Sequence, residues 1–199
     1  MTKSHWLGAA TALLLLAGCG DRDSGNVAGN AAADNQAGAQ TIASGLDQES
    51  RFLAAARAAG LDATLAGPGP YTVLVPSDEA FGKLPAGTLD SWMQPESRAE
   101  LTRVLTYHIL TGTVLAEDIG RAIDNSDGRA LLATIGGDTL TATRDGGNVV
   151  LTDAAGTRAT ITRADETRSN GVVHHIDAVL MPGPGQAQAQ GPQAPPKQQ

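Results

Sequence analysis

The chain has 199 residues, one cysteine and a net charge of −7 at neutral pH, which results from 14 Lys and Arg against 21 Asp and Glu. This length suits one folded domain of ordinary size, and the acidic balance repels nucleic acid and anionic lipid headgroups. The composition therefore argues against nucleic-acid binding and against electrostatic docking on a membrane. A single cysteine also permits no internal disulfide.

Residues 1–18 have the layout of an export signal, with Lys3 in a basic start followed by the apolar run LGAATALLLLAG. The run is too short to span a bilayer comfortably. It ends in LAGC at positions 16–19, which resembles the bacterial lipoprotein signal. The resemblance implies that Cys19 carries acyl chains such as palmitate, becomes the mature N-terminus and anchors the protein in a membrane. An aspartate directly after the lipidated cysteine would favour retention in the inner membrane, so Gly20 at this position indicates export to the outer membrane. Whether the domain faces the periplasm or the cell surface is left open.

Two segments lack the large apolar residues that a core needs. Residues 19–43 are rich in Gly, Ala, Asn, Asp and Gln, and residues 183–199 are rich in Pro and Gln. Such compositions bury too little surface to offset the entropy cost of folding. We expect a disordered tether, a folded domain at residues 44–182 and a disordered tail.

The first half of the domain carries helical patterns. An apolar stripe over residues 52–59 predicts a helix that ends at Gly60. The apolar run Tyr71–Val75 predicts a strand. Ser77 follows it as a candidate N-cap of a second helix, and the adjacent acids 78–79 suit the positive end of the helix dipole.

The longest helix is predicted from Pro95 to Gly112. Its apolar spacing places His108 on the buried face and Tyr107 to one side. Three of the five Phe, Tyr and Trp residues in the domain fit core positions. Trp92 and Tyr107 are then the aromatic side chains available to a partner.

The second half of the domain changes to strand periodicity, with glycine-containing turns between the strands. An antiparallel meander is therefore predicted. With helices early, strands late and one strand near the start, the expected fold class is α+β, with an antiparallel or mixed sheet packed against several helices from the first half. The predicted strands are Leu131–Ile135, Thr139–Thr143, Val149–Thr152, Arg158–Arg163 and Val172–Met181.

Three stretches, in order, resemble the motifs of the fasciclin domain. They are GPGPYTVLVPSDEAFGKLP at 67–85, LTRVLTYHILTG at 101–112 and SNGVVHHIDAVLMP at 169–182. The resemblance implies a fasciclin-like fold and a non-catalytic module for cell adhesion or matrix contact. His175 departs from the family pattern, which has an apolar residue there. The residues that match the motifs are Pro76, Ser77, Asp78, Tyr107, His108, Asn170, Gly171, His174, Ile176, Asp177 and Pro182.

No pattern of catalytic residues stands out. The sequence lacks HExxH and GxSxG, and Gly82-Lys83 lacks the rest of a phosphate-binding loop. The acidic pairs 78–79, 117–118 and 165–166 are adjacent, whereas glycoside hydrolysis needs carboxylates set across a cleft. We assign the first pair to a helix dipole and the other two to solvated loops or helix starts. We expect no enzyme activity and no cofactor.

The histidines are interpreted as structural. Neighbouring residues of a strand point to opposite faces, so His174 and His175 cannot hold one metal ion. We expect His108 and His174 to be core histidines, hydrogen-bonded to buried backbone or to each other, and His175 to be partly exposed.

These observations favour a lipid-anchored module of the cell envelope that contacts a protein, extracellular matrix or surface polysaccharide. Two alternatives remain at this point. One is an envelope small-molecule or metal-binding protein, carrier or enzyme, with a cavity near His108 and His174. The other is an envelope structural or stress factor with a protein partner.

Overall fold

The computed structural model describes residues 39–183. The predicted signal, the lipidation site Cys19, most of the tether and nearly all of the tail lie outside the described residues. Within 39–183, no helix combines the length and the apolar character needed to cross a membrane.

The described residues form seven α-helices and seven β-strands. The helices are α1 Ile42–Gly45, α2 Arg51–Ala59, α3 Asp62–Ala66, α4 Asp78–Gly82, α5 Thr88–Trp92, α6 Arg98–Tyr107 and α7 Ala116–Asp124, with a 3-10 turn at Pro95–Ser97 before α6. The strands are β1 Tyr71–Pro76, β2 Ile109–Thr111, β3 Arg129–Ala133, β4 Thr139–Asp145, β5 Asn148–Thr152, β6 Arg158–Arg168 and β7 Gly171–Ile176.

The strands make one mixed sheet in the order β2-β1-β7-β6-β5-β4-β3. β1 and β7 are parallel, and every other neighbouring pair is antiparallel. The two edges of the sheet meet at one point, where Leu110 pairs with Thr134 and the Ile135 amide donates to Ile109 O at 2.8 Å. The α+β class and the antiparallel meander from β3 to β7 are confirmed.

The sheet separates two hydrophobic cores. Val73, Val75 and Val173 face a core shared with the early helices, whereas Leu74 and Ile176 face a second core inside the curved sheet. β1 and β7 are therefore buried on both faces, which explains their nearly continuous apolar sequences. Ile119 and Ile123 of α7 are buried in the second core.

The predicted end of the longest helix is wrong. α6 ends at Tyr107, His108 leaves the helix with φ −87° and ψ 0°, and Ile109–Thr111 form β2. The apolar spacing could not separate these outcomes because a buried helix turn and a short buried strand have the same apolar content. Pairing with β1 supplies the hydrogen bonds that a longer helix would have made.

The predicted tether extended too far into the domain. α1 begins within its last two residues, and Ile42 is fully buried against the helical core. The Thr41 hydroxyl accepts from the Ser44 amide and caps this short helix. One large apolar residue in a polar stretch, together with a cap, was the available sequence signal.

Candidate functional site

His108 is held between α6 and the segment after β7. Its side chain is fully buried, its Nδ1 lies 2.8 Å from Val104 O, and its Nε2 accepts from the Leu180 amide at 3.1 Å. Because a carbonyl can only accept, the proton is on Nδ1 and the ring is neutral. Burial lowers the pKa of His108 to about 4.

His174 has the opposite tautomer. Its Nε2 lies 2.8 Å from Val114 O, and its Nδ1 accepts from the Asp165 amide at 3.1 Å. Both nitrogens of each buried ring, in His108 and in His174, are therefore bonded to backbone and are not available to a metal ion or a small ligand. Among residues 39–183, no three His, Cys, Asp or Glu side chains are grouped as a metal site would require.

Asn170 joins the first helices to the sheet. Its Oδ1 accepts from the Ile42 amide at 2.8 Å, and its Nδ2 donates to Leu65 O at 2.9 Å and Gly67 O at 2.7 Å. The side chain therefore satisfies three backbone groups, one from α1, one from α3 and one from the residue that follows α3. Two of these groups are carbonyls, and the two hydrogens of the Asn170 amide nitrogen allow it to donate to both.

Asn170→Asp is therefore expected to destabilise the domain by about 3 kcal/mol, since a carboxylate would face two buried carbonyl oxygens. Urea unfolding at pH 7.5 measures this free energy. Asn148→Asp is the matched control because Asn148 is exposed at the start of β5. Equal unfolding free energies for the two variants would show that the Asn170 amide contributes little.

The Pro76-Ser77-Asp78 corner starts two helices. The Ser77 hydroxyl accepts from the Ala80 amide at 3.2 Å and caps α4. Asp78 Oδ1 accepts from the Arg51 amide at 3.0 Å, at the first residue of α2. Ser77 is thus confirmed as an N-cap, and Asp78 positions a second helix that the sequence did not connect to it.

Asp177 and His175 stabilise the far end of β7. Asp177 Oδ1 accepts from the Thr160 amide of β6 at 2.6 Å. The half-buried His175 has its Nε2 2.7 Å from Arg163 Nη2 and 3.4 Å from Glu166 Oε2. Burial, and secondly the Arg163 charge, lower the pKa of His175.

The prediction that Trp92 and Tyr107 are available to a partner is wrong. Trp92 is 4% exposed and donates from Nε1 to Glu100 Oε1 at 3.2 Å. Tyr107 is 0% exposed and donates to Thr139 O at 3.1 Å, and burial raises its pKa to about 12. Tyr107 contacts the second core, which is inside the curved sheet and was not visible in the helical spacing.

Asp153 has a role that sequence reasoning missed. Asp153 is 7% exposed, and its carboxylate accepts from the amides of Ala155, Thr157 and Met181. An aspartate before Ala-Ala-Gly is a turn signal that could have indicated this role.

Asp165 was assigned with Glu166 to a loop or helix start, which is wrong because both lie within β6. The strand is irregular between Arg163 and Glu166. The pair 117–118 does open a helix, in the first turn of α7.

Comparisons with known proteins relate this chain to one family. The model of the fasciclin domain family matches residues 47–182. Protein sll1483 of Synechocystis is 35% identical over 156 residues, which cover 78% of this chain and 79% of that protein. The transforming growth factor-beta-induced protein ig-h3 of Sus scrofa is 36% identical over 132 residues, which cover 65% of this chain but 17% of that protein. The solved pair of FAS1 domains from the insect cell adhesion molecule fasciclin I has a TM-score of 0.49 and 24% identity, with coverage of 65% of this chain and 44% of that chain.

Proposed function

Because the chain belongs to the fasciclin family, whose domains are typical of cell adhesion and extracellular matrix proteins, we propose that it is a non-catalytic adhesion module held on the cell envelope by a lipid at Cys19. The observation that carries the proposal is the use made of the motif side chains. Six of the motif side chains are hydrogen-bonded to backbone groups of the fold. They belong to Ser77, Asp78, His108, Asn170, His174 and Asp177. They stabilise a scaffold and do not converge on a reacting group.

The anchoring part of the proposal is supported by the sequence before the domain. LAGC at 16–19 follows a basic and apolar leader, as in lipoprotein signals. At the start of the described chain, Gln40 O accepts from the Ser169 amide at 2.8 Å, next to the turn between β6 and β7. The tether would therefore enter the domain at this turn.

The position of the C-terminal end of the described chain supports a proposal for which end of the domain points away from the anchor. Gly183 lies beside Ala154, in the turn between β5 and β6. β6 separates this turn from Ser169, and its irregularities between Ile161 and Glu166 make it shorter than the roughly 35 Å of a regular strand of 11 residues. The turn between β5 and β6 is thus far from the point of tether entry, and a partner is expected to contact this end of the domain.

Changing Cys19 to alanine is expected to abolish both lipidation and adhesion. In a deletion strain, the wild-type chain and Gly20→Ala should take up labelled palmitate, stay with the membrane fraction and restore attachment to surfaces. Cys19→Ala should remain unlabelled, leave the membrane fraction and fail to restore attachment, because one residue carries the whole anchor.

The two parts of the proposal fail separately in this experiment. If Cys19→Ala is unlabelled but restores attachment, anchoring is not required for adhesion. If wild type is labelled and the deletion still attaches as well as the complemented strain, the adhesion function is overturned while lipidation stands.

A further inference from the structure

The connection between β2 and α7, residues 112–115, is held by side chains of the sheet. Thr72 of β1 donates from Oγ1 to Gly112 O and accepts from the Val114 amide, both at 2.8 Å. His174 of β7 donates from Nε2 to Val114 O at 2.8 Å. This loop therefore owes its position to two buried polar side chains, one of which is titratable.

Asp165 extends the contact to the start of α7. Its Oδ1 accepts from the Ala116 amide at 2.8 Å, where α7 begins, and its own amide donates to His174 Nδ1 at 3.1 Å. The residue has φ 61°, a left-handed conformation that few non-glycine residues adopt. This conformation directs the amide towards the imidazole while the carboxylate reaches the helix. Oδ1 also lies 3.9 Å from His174 Nδ1.

We propose that His174 and Asp165 form an acid-released clamp on the connection between β2 and α7. The neutral ring accepts the Asp165 amide at Nδ1. A proton added to Nδ1 replaces the lone pair with a second N–H, so this hydrogen bond is lost. The Asp165 carboxylate, 3.9 Å away, then becomes the partner of the imidazolium. A charge-assisted bond to the ring is stronger than a bond to a neutral amide, so the carboxylate leaves Ala116.

The groups around His174 favour this exchange of partners. Asp165 is the one carboxylate in residues 39–183 within 4 Å of a nitrogen of the His174 ring. Leu74 and Thr72 of β1, which lie beside His174, carry no charge. The first-turn acids of α7 are engaged elsewhere, since Glu117 pairs with Arg121 and Asp118 Oδ2 accepts from the Leu115 amide. On β6, Arg163 and Glu166 contact His175, which points to the other face of β7.

The consequence is local loosening of α7 over the second core. Ile119 and Ile123 hold the rest of the helix, whereas Leu115 before it is already 37% exposed. Acid would therefore release the loop and the first turn while the sheet stays paired. The clamp depends on the fold alone and is independent of lipid anchoring and of adhesion.

NMR on the full chain between pH 7.5 and 5 tests the clamp. It measures the nitrogen chemical shifts of the His174 imidazole together with the hydrogen exchange of the backbone amides. The His174 ring should begin as the Nε2–H tautomer. As it titrates, the protection of the Ala116 amide, corrected for the intrinsic rate, should fall about fivefold, the size of a lost helix cap. The two changes should share one midpoint, and Leu151 in β5 should keep its protection.

Two variants separate the clamp from general acid effects. His174→Gln keeps a donor for Val114 O but cannot be protonated, so the response of Ala116 should disappear. His175→Gln, on the opposite face, should keep the response. The clamp is overturned if Ala116 responds in His174→Gln, if the ring titrates without a change at Ala116, or if the ring stays neutral until the whole chain unfolds. Should His174→Gln fail to fold, the comparison of midpoints in the wild-type chain decides alone.

Discussion

Replacing Gly171 with alanine is expected to lower the free energy of unfolding by more than about 4 kcal/mol, a change large enough to unfold many domains. An added Cβ would lie 1.9 Å from Tyr71 O and 2.8 Å from Tyr71 C, both backbone atoms of the parallel partner strand. Those atoms cannot move without breaking the pairing of β1 with β7. The φ of 154° at Gly171 adds strain for any larger residue.

Two other glycines provide controls for this prediction. Gly147→Ala places a Cβ in open space at φ 92°, so it isolates the backbone strain, which costs about 1 kcal/mol. Gly82→Ala adds a Cβ in open space within α4 and should stabilise slightly, by about 0.5 kcal/mol. Urea unfolding of the three variants should rank Gly82→Ala above Gly147→Ala, and Gly171→Ala last. A Gly171 variant no less stable than the Gly147 variant would show that β1 and β7 can separate at low cost.

The elements that sequence reasoning located correctly are those with a local signal. The stripe over residues 52–59 and the stop at Gly60 became α2, with Gly60 in the left-handed conformation. Ser77 became a cap because its hydroxyl acts within one turn of its own position. The meander followed from alternating strands and glycine turns, since neighbouring strands pair through those turns.

What the sequence could not supply depends on contacts between distant positions. Tyr107 was placed to one side of a helix, although the curved sheet buries it through Thr139. Ile42 looked like part of a tether because its amide donates to the side chain of Asn170, which lies 128 residues away in the sequence. The end of α6 was also set by a distant partner, since β2 exists only where β1 accepts it.

The candidate site was predicted in its residues and in part in their roles, since His108 and His174 are buried and bonded to backbone as expected. The motifs pointed to His108 and His174, yet their opposite tautomers follow from which backbone groups face each ring. Asp165 carried no signal at all, because its function depends on a left-handed backbone within a strand. Sequence spacing indicates which face a side chain occupies, and it does not identify what faces it.

The second large effect expected is a loss of stability in mild acid, caused by His108. Burial holds its pKa at about 4 in the folded state, against 6.5 for an exposed histidine. Between these pH values the folded state thus binds fewer protons than the unfolded state. The contribution of His108 to the free energy of unfolding is therefore complete above pH 6.5 and declines as the pH falls towards 4. The gap between 6.5 and about 4 corresponds to about 3 kcal/mol.

His108→Gln isolates this contribution because an amide oxygen can still accept from Leu180 but does not titrate. The substitution is expected to lower the free energy of unfolding by about 1–2 kcal/mol at pH 7.5, since the hydrogen bond to Val104 O is lost. Urea unfolding at pH 7.5, 6, 5 and 4.5 should then show the variant losing less stability than wild type, so that the two converge in acid. His175→Gln serves as the control, because the half-buried His175 can reach solvent when it is charged and should change the slope less. An equal pH slope in wild type and His108→Gln would place the acid sensitivity in the carboxylates and not in the buried ring.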